Sequence, residues 1–202
     1  MSNYNDIETM MEALIERTKI IVNEAYMHHR EFHAKTPLME GKPSTLLVFP
    51  RFFNSDNDKT TGWTRISEQE LRFAFVQAFH EYVCEHKCKY YYSVEPPTVD
   101  SYTFSKVEDG KRKKIEPKIG EGQSGNFDMA IYDENLKRVC LIEFKCGYVT
   151  PQAINEVKAK LTNKTELGEN AQGYLVYMRK EKASDIKDIE GLQCKKVTLN
   201  IK

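Results

Sequence analysis

The stretch from Gly125 to Gly147, GNFDMAIYDENLKRVCLIEFKCG, constrains the fold more than any other part of the chain. Phe127 to Tyr132 is an apolar run opened by Asp128. Asp133-Glu134-Asn135-Leu136 carries turn chemistry, and Arg138 to Lys145 forms a second strand. Period-2 alternation puts Cys140, Ile142 and Phe144 on one face and Leu141, Glu143 and Lys145 on the other. Two charges therefore interrupt an apolar strand, an arrangement that is costly if buried without partners. With Asp128 from the neighbouring strand they make an acid, acid, lysine cluster at a sheet end. Such a cluster is a seat for a hard divalent cation with a lysine beside it.

The flanking segments supply helices and further strands. Asn5 to His33 is predicted as a long helix, with Ile7, Met11, Leu14, Thr18, Ile21 and Ala25 along one seam. The favoured reading packs that seam on its own domain; the alternative is a short coiled coil in a homodimer. His29 and His33 have metal-ligand spacing, but histidines in a last helical turn are also good dipole chemistry, the preferred reading. Thr45 to Phe49 is β-like, and Pro50 either puts it at a sheet edge or ends it. Ser67 to Glu85 is the second strong helix, with a Ser67–Glu70 capping box and a buried stripe of Leu71, Phe75, Ala78, Phe79 and Tyr82. Glu68 shares that angular sector, whereas Glu70 falls on the flank with Ala74, Gln77 and Glu81. Cys84, His86 and Cys88 lack a second pair at zinc spacing and are taken as the frayed helix end.

Lys89 to Val94 is a strand stopped by Pro96-Pro97. Asp100 to Gln123 is expected to be a long polar connection with a basic run, Lys111-Arg112-Lys113-Lys114. By default such a run is a solvated hairpin tip; next to a cation site it would suit a polyanion. Thr150-Pro151 opens a helix to about Leu161, Gly173 to Arg179 is an apolar strand, Ser184 to Ile189 is a short helix, and Val197, Leu199 and Ile201 alternate as a last strand.

A chain of 202 residues can bury a full core in a single domain. The expected parts are an N-terminal helix and edge strand (1–60), a core (61–180) and a C-terminal helix and strand (181–202). The 30 Lys and Arg balance the 30 Asp and Glu, so any binding of nucleic acid must come from local patches. No apolar run approaches the roughly 20 residues of a membrane span. Five cysteines, several in apolar segments, are read as reduced thiols in a cytoplasmic setting.

Glu-x-Lys occurs five times, at Glu40, Glu85, Glu116, Glu143 and Glu156, and alone it says nothing. Only Glu143-Phe144-Lys145 closes an apolar strand with an acidic strand-start just upstream. From Ile66 to Met178, this order of helix with an acid at its tip, strand, acidic strand, Glu-x-Lys strand, helix and strand resembles the PD-(D/E)xK nuclease superfamily. Restriction endonucleases and Holliday-junction resolvases belong to it. Gly125-Asn126-Phe127 stands where a proline often precedes the family's aspartate. The resemblance implies an α/β fold with a restriction-endonuclease-like mixed sheet flanked by helices. It further implies Asp128 and Glu143 as acids binding Mg2+ or Mn2+, the Phe144 carbonyl as a further ligand, Lys145 beside the attacking water, and Glu68 as the helix acid. Lys111, Arg112, Lys113 and Lys114 would contact phosphates of nucleic acid, DNA in preference to RNA.

The chemistry fits on its own terms. Phosphodiester hydrolysis brings an anionic nucleophile to an anionic phosphorus, and a magnesium ion on two carboxylates offsets the developing charge. Taken singly, Glu143 and Lys145 are an exposed ion pair and Asp128 a turn cap; taken together and in order, the nuclease reading is preferred. The competing reading is a catalytically inactive module of the same fold that binds nucleic acid or a protein.

Overall fold

The computed structural model describes residues 4–34, 45–49, 68–119, 123–161 and 171–200. Its centre is a five-stranded mixed sheet, and it is reached by following the Asp128 hairpin outward. Strand β5 (Met129–Tyr132) and strand β6 (Arg138–Cys146) pair antiparallel, with Met129 opposite Ile142. Asp133 closes their turn by accepting the N–H groups of Asn135 and Lys137 on Oδ1, both at 2.9 Å. Strand β1 (Tyr91–Val94) adds antiparallel on the far side of β5. Strands β7 (Gln172–Lys180) and β8 (Leu192–Leu199) continue parallel from β6, giving the order β1-β5-β6-β7-β8.

Side-chain alternation sorts the core into two layers. Cys140, Ile142, Phe144, Met129, Tyr174 and Val176 face helices α1 (Tyr4–Ala34) and α2 (Glu68–His86). Leu141, Leu175, Tyr177 and Ala130 face helix α3 (Pro151–Leu161) through Val157 and Leu161. The α1 seam is buried along its length, including Thr18, whose hydroxyl donates to the Leu14 carbonyl at 2.7 Å. Met10, Ile15, Val22 and Tyr26 widen it into a full face, which packs on α2 and β8. Because α1 covers the flank of α2, Ala74 is buried there too, contrary to its assignment to an outer flank. Helix α3 begins as its sequence dictates: the Thr150 hydroxyl accepts the Ala153 N–H at 3.1 Å, and Pro151 takes the first helical position.

Three expectations are corrected. Asp100 to Gln123 is largely extended: β2 (Pro97–Glu108) and β3 (Lys111–Ile119) form a hairpin, joined by β4 (Gln123–Asn126) in the order β3-β2-β4. The cause is Asp109-Gly110, both at positive φ (51° and 69°), between the paired residues Glu108 and Lys111. That is the two-residue turn whose twist matches paired strands. Ser184 to Ile189 is not helical, because its backbone groups are drawn to distant partners. Ile186 N–H donates to the Tyr177 hydroxyl at 2.8 Å, and the Ser184 carbonyl accepts the Arg179 guanidinium at 3.0 Å. Thr45 to Phe49 joins no sheet; Thr45 instead donates its hydroxyl to Gln77 at 2.8 Å and Phe49 inserts into the core. Ser67, Pro50, Ile201 and the side chains of His29 and His33 lie outside the described residues.

Candidate active site

Continuing the β5–β6 register by one residue sets Asp128 opposite Glu143. Asp128 is fixed there: its Oδ2 accepts the Phe144 N–H at 2.7 Å, and its carbonyl accepts Glu95 N–H at 3.1 Å. In an extended strand the N–H and C=O of one residue leave on the same edge, so the Phe144 carbonyl also faces the Asp128 side. Both connections of the β2–β4 arm to the central sheet are pinned beside this point, the second by Phe127 N–H to the Pro96 carbonyl at 3.0 Å.

Glu143 is 5% exposed in the middle of the α3-facing layer. Its Oε1 accepts Lys160 Nζ at 2.7 Å and Lys145 Nζ at 3.4 Å. Its Oε2 is buried and has no hydrogen-bond partner among the described residues. Burial pushes the Glu143 carboxyl above the usual carboxylate range, and the neighbouring Asp128 charge adds to this; Lys160 and Lys145 pull it back without cancelling the rise. For Lys145, burial acts to lower its pKa, but Glu143, Glu68 and Asp128 outweigh it and the net shift is upward. Lys145 therefore stays an ammonium group among three carboxylates.

Glu68, at the tip of α2, meets Lys145 at 3.4 Å. The lysine thus stands between Glu68 and Glu143, bridging two acids that come from opposite faces of the sheet. Lys111 and Lys113 are exposed at the start of β3, and Lys113 pairs with Glu108 at 2.7 Å. The side chains of Arg112 and Lys114 lie outside those described. At the end of α2, His86 stacks on Tyr82 with ring centroids 4.1 Å apart, and its Nδ1 lies 3.0 Å from the Tyr82 carbonyl.

Two cations at the site escaped sequence reasoning. Lys160 of α3 holds Glu143 and also donates to the Asn126 carbonyl at 3.0 Å. Its helical position, between the buried Val157 and Leu161, was the one signal available. Arg72 of α2 lies 3.4 Å from the Asp128 carbonyl and 3.9 Å from its Oδ1, and pairs with Glu95 and Gln69. Nothing in the pattern around it marks it out.

The donor set fits a hard divalent cation. Asp128 and Glu143 are carboxylates on adjacent chain segments, and Glu143 Oε2 is a buried acceptor left without a partner among the described residues, the kind that calls for a ligand. Among the described residues no group of three His, Cys, Asp or Glu side chains comes together around a metal position. A cation here would complete its shell with the Phe144 carbonyl, water and substrate oxygens, as magnesium commonly does. Compared with protein-family models, characterised proteins and solved structures, the chain finds no match.

Proposed function

We propose that this protein is a divalent-metal-dependent nuclease with a PD-(D/E)xK-type core, hydrolysing phosphodiester bonds in DNA in preference to RNA. The observation that carries the reading is the buried Oε2 of Glu143, without a partner among the described residues, on the residue one register step opposite Asp128 with Lys145 alongside. The mixed sheet supports it: an antiparallel hairpin bearing the acids continues through β6 and α3 into parallel β7. So does the basic β2–β3 hairpin, which is inserted between β1 and β5 and so springs from the site itself.

Mg2+ or Mn2+ bound by Asp128 and Glu143 supplies Lewis-acid stabilisation of the phosphoryl charge. The chain's own residues do the rest. Phe144 N–H fixes the Asp128 carboxylate, Glu68 and Glu143 together aim the Lys145 ammonium, and Lys145 holds the attacking water or the developing phosphoryl oxygens. Lys111 to Lys114 bring phosphate-binding charge on the arm.

A second reading, a catalytically inactive nucleic-acid or protein-binding module, draws on Lys160, which already neutralises Glu143 Oε1. Incubation with plasmid and single-stranded DNA, with and without magnesium or manganese, separates the two. The nuclease reading expects metal-dependent cleavage that Lys145→Ala abolishes while the fold is retained. Binding without cleavage under every metal condition supports the inactive module and removes the nuclease.

A further inference from the structure

Tyr148 is a large aromatic residue 75% exposed on the loop between β6 and α3. Exposure on a loop ordinarily means mobility, yet this loop is held at every neighbouring position. Gly147, at φ +78°, donates its N–H to the Met178 carbonyl at 3.0 Å and accepts Arg179 Nε at 3.0 Å. Val149 is buried, and Thr150 caps α3. The Arg179 guanidinium lies 5.4 Å from the Tyr148 ring centroid, within cation–π range, and is itself anchored on the Ser184 carbonyl at 3.0 Å. One ring face therefore rests on a fixed cation.

The ring sits beside the acid cluster. Lys145 pairs in register with Tyr177, and Arg179 is two residues further along β7, so it shares the face that carries Glu143 and Lys145. Tyr148 is three residues beyond Lys145, which limits its distance along the chain to about 11 Å. A rigid aromatic platform with a cation behind it, next to a phosphodiester-cleaving centre, has the chemistry that holds an unpaired base: stacking that tolerates any sequence because every base has a π face.

We propose that Tyr148 is a stacking platform for a nucleobase adjoining the scissile phosphate, and that the preferred substrate is single-stranded or locally unpaired nucleic acid. This inference rests on the nuclease reading. It is tested by fluorescence anisotropy with calcium in place of magnesium, using wild type, Tyr148→Ala and Tyr148→Trp. The labelled probes are an oligothymidylate, an abasic strand of the same length and a blunt duplex. Tyr148→Ala should weaken oligothymidylate binding about tenfold, leave the abasic strand and the duplex within about twofold, and keep its melting temperature. Tyr148→Trp should match or exceed wild type. Unchanged oligothymidylate binding by Tyr148→Ala, or an equal loss on the abasic strand, overturns the platform and leaves the nuclease reading standing. A wild-type protein that binds none of the three probes overturns both.

Discussion

Lys160 of α3 donates to Glu143 of β6 across 2.7 Å, with both side chains largely withdrawn from solvent, at 14% and 6% exposure. This contact ties the helix after the Glu-x-Lys strand to the strand itself, and it fixes which oxygen of Glu143 is spoken for. Oε1 accepts from two ammonium groups, while Oε2 has no hydrogen-bond partner among the described residues.

Removing one member of a buried ion pair strands the other charge. Lys160→Met should therefore destabilise the fold by about 3 kcal/mol in denaturant unfolding. Combining it with Glu143→Gln should recover much of that loss, because the stranded carboxylate is gone. Additive losses in the double variant would mean that the two residues do not stabilise one another.

The raised pKa of Glu143 has a definite sign in stability. A carboxyl that holds its proton more tightly in the folded chain stabilises the fold fully below its unfolded value of about 4.5, and that contribution is lost as pH rises through the folded value. With a chelator present, wild type should lose stability relative to Glu143→Gln as pH is raised from below 4.5 to neutral. Manganese added at neutral pH should restore it, since the cation binds only the folded chain. A difference between the two proteins that stays constant with pH would remove burial as the controlling effect at Glu143.

The two glutamates at the tip of α2 should behave differently. Glu68 touches Lys145 and so holds the ammonium in position; its side chain is 48% exposed, so little stability depends on it. Glu68→Gln should lower DNA cleavage at least tenfold with an unchanged melting temperature, whereas Glu70→Gln should leave cleavage within about twofold. The reverse pattern would assign the aiming of Lys145 to Glu70.

Local signals were readable where chain neighbours determine the outcome. Alternation along Arg138 to Lys145, the Asp133 turn and the Thr150-Pro151 helix start all depend on contacts within a few residues, and they appear in the structure. A hairpin tip at the basic run was legible, but the long β2 and β3 strands on either side of Asp109-Gly110 were not, because the consecutive charges from Lys111 to Lys114 erase hydrophobic alternation on β3. Lys160 was hidden for a different reason. A lysine has a long apolar stem and normally places its head in water, so only a partner from another element explains its burial. The Ser184 segment failed as a helix for the same class of cause, since Tyr177 and Arg179 of β7 claim its backbone.

The central claim is that Asp128 and Glu143 together hold a divalent cation. Titration calorimetry with manganese tests it most directly, on wild type and on Asp128→Asn, which keeps the shape of the side chain and can still accept the Phe144 N–H. Wild type should bind one manganese ion, and Asp128→Asn should lose that binding at least tenfold while remaining folded. Equal binding by the two proteins, or none by wild type, would contradict the assignment.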